Sequence, residues 1–228
     1  MPEHGLEEFD AKLINGLEFC AKVYALFENV RSAPDGASRL RMRPSRLEKK
    51  LLEELLPICS YVQASYRIGR YISVRWVQNQ QFDAELSQRG AYVTESYYPA
   101  SAFLEITCVM HPKEHMSREL LEKKGLAYGV NGIHRLKSGE LVSEPIGYTN
   151  KEFIDSYSEL VLKELAKKAA KSYPENTTLI VQCNLNTIYM PDEWDMLMQK
   201  VVPDLPHSNF REIYFYDPSS MRSHTVWP

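Results

Sequence analysis

The feature that most constrains the fold is one apolar run, TTLIVQCNL at residues 177–185, which lies between two segments of helical character. Its length and its β-branched and aliphatic residues predict a strand, and its lack of charge predicts that both faces of this strand are buried. Residues 150–172 before it predict a long helix that Pro174 ends, and residues 191–202 after it predict a helix that starts behind Pro191. A strand with helices on both sides along the chain favours an α/β fold with a covered sheet.

Four further segments have strand character. Residues 70–77, RYISVRWV, alternate large apolar and polar side chains, as a half-buried strand does. Residues 78–86, QNQQFDAEL, predict a second strand or a continuation of the first past a bend. A third strand is centred on residues 102–109, and REIYFYD at residues 211–217 predicts the last one. Together with the apolar run, these segments predict a mixed sheet.

The part of the chain before these strands is predicted to be helical. Residues 6–31 place apolar side chains at steps of three and four, as one face of a helix does. A second helix within residues 39–69 is expected to be kinked or divided by Pro57. We therefore predict an N-terminal helical segment at residues 1–38 and an α/β domain at residues 39–228, with a mixed central β-sheet flanked by helices. The apolar positions of the first helix are Phe9, Leu13, Leu17, Cys20, Val23, Tyr24 and Phe27.

A short excursion separates the third strand from the long helix. Residues 112–124 predict a helix that Gly125 closes, because glycine readily takes the left-handed conformation at a helix end. The sequence KSGE at residues 137–140 predicts the turn of a hairpin.

Composition excludes several classes of protein. The chain has 228 residues and a net charge of −3, so it carries no overall positive charge for nucleic acid, and any anion site must be local. No apolar run approaches the roughly 20 residues of a membrane span. The four cysteines form no Cys-x-x-Cys pair, which is typical of reduced thiols, so we expect a cytoplasmic protein that does not contact a membrane.

Two carboxylates stand out against the strand pattern. Asp83 follows strand-forming residues, and Glu105 lies inside FLEITCV, where a core residue would be expected. A charge at such a position is costly unless it is paired or bound to a cation. Carboxylates on adjacent strands come close enough to repel unless a divalent metal or a lysine lies between them. Their oxygens favour Mg²⁺, which suits phosphodiester hydrolysis. The alternative is that Asp83 forms a turn and Glu105 an exposed sheet face.

These residues belong to a longer series that resembles the PD-(D/E)xK nuclease superfamily. The series is Q-F-D at residues 81–83, L-E-I-T at 104–107, a lysine-bearing helix ahead of Y-P at 173–174, and L-I-V at 179–181. The resemblance covers roughly residues 45 to 185. It implies a restriction-endonuclease-like αβββαβ core.

The resemblance also implies roles for individual residues. Asp83 and Glu105 would bind Mg²⁺ or Mn²⁺, together with the backbone carbonyl of Ile106. The chain departs from the motif at Thr107, where the superfamily has a lysine, and a hydroxyl cannot replace an ammonium that offsets transition-state charge. Some members supply this lysine from the following helix. We expect Lys168 to take this role, because it shares a helix face with buried-type residues at i−3 and i−7, with Lys171 as the second choice.

The sequence leaves the roles of six further residues undecided. Glu53 or Glu54 on the earlier helix could add an acidic ligand, and the sequence does not choose between them. Four arginines could contact a nucleic-acid backbone or simply face solvent. Those arginines are Arg41, Arg43, Arg46 and Arg118.

The function that the resemblance implies is a metal-dependent nuclease that hydrolyses phosphodiester bonds of nucleic acid, with DNA favoured over RNA as the substrate. It implies a part in bacterial or phage DNA processing or defence, acting alone, as a homodimer or with a partner protein of a larger system. The alternative is an inactive nuclease-fold module that binds nucleic acid or protein, because Thr107 replaces the motif lysine. A third hypothesis is a zinc site on His111 and His115, although their spacing lacks the H-E-x-x-H arrangement.

Overall fold

A computed structural model describes residues 5–77, 81–185 and 192–228. Two predicted elements extend past these residues, since residues 78–80 and Pro191 lie outside the described part. No helix in the described part is both long and apolar enough to cross a membrane. The strands in chain order are β1 Leu13–Asn15, β2 Tyr71–Trp76, β3 Ala84–Arg89, β4 Ser101–Val109, β5 Ile133–Arg135, β6 Leu141–Ser143, β7 Thr177–Cys183, β8 Glu212–Asp217 and β9 Arg222–Val226.

Eight α-helices within the described residues accompany these strands. They are α1 Gly16–Arg31, α2 Gly36–Met42, α3 Arg46–Lys50, α4 Leu56–Ser65, α5 Ala91–Thr94, α6 Glu114–Lys124, α7 Asn150–Ala169 and α8 Glu193–Val201. A π-helical turn at Leu51–Leu55 joins α3 to α4, and short 3₁₀ turns lie at Val130–Gly132 and Val202–Asp204.

Seven strands form one mixed sheet in the order β1-β2-β3-β4-β7-β8-β9. The pairs β4–β7 and β7–β8 are parallel, and the other pairs in this sheet are antiparallel. The predicted α/β fold class with a mixed central sheet flanked by helices is therefore confirmed. The chain follows the order helix, β2, β3, β4, α7, β7, and inserts α6 and the separate hairpin β5–β6 between β4 and α7.

The apolar run that predicted the sheet forms β7, and every residue of this strand is buried. Its side chains alternate between two cores because successive strand residues point to opposite faces. Ile180 packs in the core that α1 and α4 cover, whereas Leu179 and Val181 pack in the core that α7 and α8 cover. Because β7 lies inside the sheet, its apolar side chains pack against the helices on both faces.

The first predicted helix is wrong at its start. Leu13–Asn15 forms the edge strand β1, which pairs with β2, and the side chain of Asn15 caps α1 by accepting from the N–H of Leu17 at 3.0 Å. Leu13 and Leu17 are each 51% exposed, so they do not belong to the buried face. A Cβ on Gly16 would lie 2.8 Å from the carbonyl oxygen of Ile72, and this close approach lets the chain turn from strand to helix against the sheet.

The region before residue 39 shares its packing with the rest of the chain. Phe9, Phe19 and Val23 lie in the same core as Ile72 and Leu104. The predicted boundary at residue 38 stays a prediction.

The second helix runs from α3 through the π turn into α4, and Pro57 is the second residue of α4. The predicted kink or division at Pro57 stays a prediction. The N–H of Leu56 bonds to the carbonyl of Leu51, five residues back. Pro57 has no N–H to give to the carbonyl of Glu53, so that oxygen is left without its α-helical partner. The thiol of Cys108 on β4 donates to it at 3.6 Å. The π turn is thus held against the middle of the sheet.

Candidate active site

Strands β3 and β4 separate beside Asp83. Their paired register ends at Ala84 and Leu104, whereas β4 continues to pair with β7 as far as Val109 and Cys183. The N–H of Asp83 still donates to the carbonyl of Leu104 at 2.8 Å. Beyond this bond β3 and β4 no longer pair within the described residues, and we call the place where they separate, beside Asp83 and Glu105, the notch.

The Asp83 carboxylate fills the next hydrogen-bonding position in this notch. Its Oδ2 accepts from the N–H of Ile106 at 2.8 Å. The register of β3 and β4, continued by one residue, places Asp83 opposite Glu105, so both side chains emerge on the same face. The sequence prediction that the two acids share a site therefore agrees with their placement.

Lys168 enters the notch from α7. Its ammonium donates to Glu105 Oε1 and, at 3.1 Å, to the carbonyl oxygen of Ile106. The lysine side chain is 20% exposed and that of Glu105 is 10% exposed. The carbonyl that the resemblance implies as a metal ligand is thus close to both a carboxylate and an ammonium.

The helical spacing explains why this lysine, and not its neighbours, reaches the sheet. Val161 and Leu165 on α7 are buried, and Lys168 follows on the same face. Lys167 lies on the outer side and pairs with Glu164 at 2.6 Å. Lys171, the second choice from sequence, is exposed and follows the end of α7, so the structure does not bring it into the notch.

Tyr173 is a member of the site that sequence reasoning did not select. Its hydroxyl donates to Glu105 Oε1 at 3.2 Å, and its ring packs against Phe210. Burial and the charge of Glu105 raise the pKa of the Tyr173 hydroxyl, so it remains a donor at neutral pH. The only sequence signal was its place in the Y-P pair ahead of β7.

The site concentrates negative charge. Burial, then the charges of Glu105 and Glu54, raises the pKa of Asp83 to about 7, although its bond to the N–H of Ile106 and the charge of Lys168 act in the opposite direction. Two ammonium groups, those of Lys168 and Lys50, face three carboxylates here, those of Asp83, Glu105 and Glu54. Such an excess of buried negative charge is the situation that a divalent cation relieves.

The structure separates Glu53 from Glu54, which the sequence could not. Glu54 Oε2 accepts from the indole N–H of Trp76 at 3.0 Å, and Oε1 accepts from Lys50. Its charge acts on Asp83. Glu53 instead pairs with Arg43 at 2.7 Å. Glu54 is therefore the acid of the π turn that belongs to the notch.

The donor set fits a hard cation in its chemistry. Carboxylate and carbonyl oxygens are the ligands that Mg²⁺ and Mn²⁺ prefer, and Asp83, Glu105 and Ile106 supply them. Within the described residues, no three acidic, histidine or cysteine side chains lie close enough together to form a ligand group by themselves. A metal here would depend on the backbone oxygen and on water for its remaining ligands.

No known protein family, curated protein or solved structure matches the chain. The assignment of the site therefore rests on its geometry and on the sequence motif.

The four arginines that the sequence suggested as candidate contacts to nucleic acid fall into two groups. Arg41 is exposed and pairs with Glu122 at 2.8 Å, and Arg46 is also exposed. Arg43 and Arg118 are partly buried, and each places a terminal guanidinium nitrogen within 4 Å of the Met110 sulfur, at 3.8 and 3.9 Å. Arg43 and Arg118 thus meet at one point of the structure.

The two histidines of the zinc hypothesis have local partners. His111 Nδ1 accepts from the N–H of Lys113 at 3.1 Å, and His115 Nδ1 lies 3.1 Å from the carbonyl of Pro112. The described residues add no further ligands to make a group of three around them.

Proposed function

We propose that this chain is a metal-dependent nuclease that hydrolyses phosphodiester bonds in DNA. One observation carries the proposal: Asp83, Glu105 and the Lys168 ammonium converge where β3 and β4 separate. Two carboxylates and an adjacent backbone oxygen can hold a divalent metal that activates water, and a lysine can stabilise the charge that develops on the phosphoryl group. The PD-(D/E)xK resemblance supports the same assignment, with the lysine moved from the Thr107 position to α7.

Each residue of the notch has a distinct part in this proposal. Asp83 and Glu105, with the Ile106 carbonyl, would hold Mg²⁺ or Mn²⁺, which supplies an activated water and offsets charge on the phosphoryl oxygens. Lys168 orients a water between Glu105 and the phosphate and donates to the charge that develops on the phosphoryl group. Tyr173 fixes the Glu105 carboxylate in one rotamer through its hydroxyl.

A second function is favoured by a specific observation. Lys168 already contacts Glu105 and the Ile106 carbonyl, which are two of the three groups assigned to the metal. An inactive nuclease-fold module that binds nucleic acid or protein would have this arrangement, with the lysine in place of the metal. Such a module would bind without cleavage.

Cleavage assays decide between the two functions. Supercoiled plasmid and end-labelled RNA are incubated with the full chain in Mg²⁺, in Mn²⁺ and in EDTA. We expect the metals to support nicking of the plasmid and EDTA to abolish it. Intact DNA and RNA under all metal conditions would refute the nuclease and leave the binding module.

Matched variants test the residues. Lys168→Met should lower the nicking rate by about 10² or more, because the charge-stabilising donor is lost. Lys167→Met, one residue away on the outer side of α7, should retain the wild-type rate. Glu105→Gln should abolish nicking, whereas Glu85→Gln on the neighbouring strand β3 should not. Equal losses in Lys168→Met and Lys167→Met would contradict the role of Lys168.

A further inference from the structure

A second site lies at the carboxyl ends of β4 and β7, where a cavity of about 640 Å³ opens beside Val109 and Asn184. This volume is within the range of pockets that take small organic ligands. The insertion between β4 and α7 contributes Asn131 and Tyr148 to its lining, and the first half of α7 contributes Phe153 and Tyr157. The insertion therefore creates a space that the sheet and α7 alone would leave open.

One wall of the cavity is a series of parallel aromatic rings. Tyr148 and Phe153 stack with their centroids 5.9 Å apart and their planes at 16°, and Phe153 and Tyr157 stack at 5.9 Å and 18°. The Tyr157 hydroxyl donates to the carbonyl of Val109 at 3.1 Å and accepts from the N–H of Asn184 at 2.8 Å, which fixes its ring. The last ring, Tyr148, is 40% exposed. Such a wall favours a flat ring as the ligand, because flat rings stack on aromatic side chains.

The rim of the cavity carries charges of both signs, because Glu114 and Glu152 line it together with Arg43. Arg43 also pairs with Glu53 at 2.7 Å, and Arg118 lies beside Arg43 at the Met110 sulfur. The Nε atoms of both arginines are buried and have no hydrogen-bond partner within the described residues. Burial and the neighbouring Arg43 lower the pKa of Arg118, as expected for two cations that share one place. An anion at the rim would relieve their repulsion and give these donors a partner.

The cavity also contains groups that read a base edge. The amide side chains of Asn131 and Asn184 line it, and an amide offers a donor and an acceptor to the edge of a nucleobase. A stack of aromatic rings, amides that can contact a base edge and two adjacent arginines are together the parts of a nucleotide site.

We propose that this cavity binds a nucleoside phosphate, with the base stacked on Tyr148 and the phosphate at Arg43. The source is an unpaired nucleotide of the substrate strand, and in this respect the inference rests on the proposed function. Arg43 pairs with Glu53, and the next residue, Glu54, acts on Asp83, so a single helical turn connects the rim with the notch. The substrate class is therefore a strand with an unpaired base next to the cleaved phosphate. A free mononucleotide has the same chemistry and is the other source.

Binding is measured without cleavage, in the full chain carrying Glu105→Gln and in EDTA. The probe is a single-stranded DNA oligonucleotide with one 2-aminopurine, whose fluorescence falls when the base stacks on an aromatic ring. We expect quenching on binding, weaker binding of the fully paired duplex, and about ten-fold weaker binding in Tyr148→Ala. The control Tyr24→Ala removes a tyrosine of similar exposure, 38%, from α1 and should change neither affinity nor quenching.

The rim is tested in the same assay. Arg43→Gln should weaken binding about ten-fold, because a charge-assisted contact to phosphate is lost, and Arg31→Gln on α1 should not weaken it. Competition identifies the source: dAMP that displaces the oligonucleotide at equal concentration indicates a free mononucleotide site, and a large excess of dAMP without displacement indicates a site for the strand.

The outcomes separate the inference from the proposed function. Unchanged affinity and quenching in Tyr148→Ala and Arg43→Gln would overturn the cavity site even if the wild-type chain cleaves DNA. Quenching that depends on Tyr148 and Arg43 would support the cavity site even if the wild-type chain cleaves nothing. A probe that the protein neither binds nor quenches would overturn the inference.

Discussion

The metal-free protein should become more stable when one acidic side chain of the notch is replaced by a neutral one. We predict that Asp83→Asn stabilises the metal-free protein at pH 8. Asparagine keeps an oxygen that accepts from the N–H of Ile106, and it removes a charge that burial, Glu105 and Glu54 oppose. This substitution therefore separates the cost of the charge from the geometry of the site.

The size of the effect follows from the pKa of Asp83. Folding raises the pKa of Asp83 from an ordinary value of 3.8 to about 7. This shift means that folding with an ionised carboxylate costs at most about 4 kcal/mol of stability. Below pH 3.8 the carboxyl is protonated in both the folded and the unfolded chain, so the cost is absent. It grows as the pH rises from about 4 to about 7, because the unfolded chain releases the proton first, and it is constant above pH 7.

Urea unfolding at pH 4, 5.5 and 8 measures the free energy of unfolding of both proteins. The gain in Asp83→Asn should be near zero at pH 4 and largest at pH 8. Asp204→Asn, at an exposed aspartate, should change stability by less than about 0.5 kcal/mol at every pH. A gain that is equal at all three pH values, or a loss at pH 8, would refute the argument that Asp83 is held at an electrostatic cost.

The same unfolding experiment, repeated with a divalent metal, tests whether Asp83 is a metal ligand. A cation bound to the folded chain alone raises the free energy of unfolding with concentration. At pH 8, Mn²⁺ should stabilise the wild-type protein and should have little effect on Asp83→Asn. Equal stabilisation of both would place the metal elsewhere.

Two further predictions concern the residues around Glu105. Tyr173→Phe should lower the nicking rate several-fold, because the hydrogen bond to Glu105 is lost. The midpoint of thermal unfolding should stay within a few degrees, because the ring still packs on Phe210. An unchanged nicking rate would exclude the positioning role. Thr107 lies on the same strand face as Glu105, so the double variant Thr107→Lys/Lys168→Met should recover part of the nicking that Lys168→Met loses. Recovery no greater than in Lys168→Met alone would show that the ammonium must come from α7.

The sequence determined the elements that depend on local pattern. The apolar run of β7, the alternation in β2 and β4, and the end of α6 at Gly125 all appear where the pattern predicted them. The same periodicity put Lys168 on the buried face of α7, whereas the position of Asp83 opposite Glu105 comes from the pairing of β3 with β4. Side-chain direction in a strand or helix follows from the repeat of the backbone itself, and for this reason a short sequence is enough to predict it.

Only the tertiary structure decided the features that depend on distant partners. The strand β1 has three residues and exists because β2 pairs with it, while its own sequence reads as part of a helix. The choice of Glu54 over Glu53 depends on Trp76 and Arg43, which lie 22 and 10 residues away in sequence. The cavity requires an insertion to close over α7. Pairing between segments far apart in the chain is set by the packing of the whole sheet, and no local repeat encodes it.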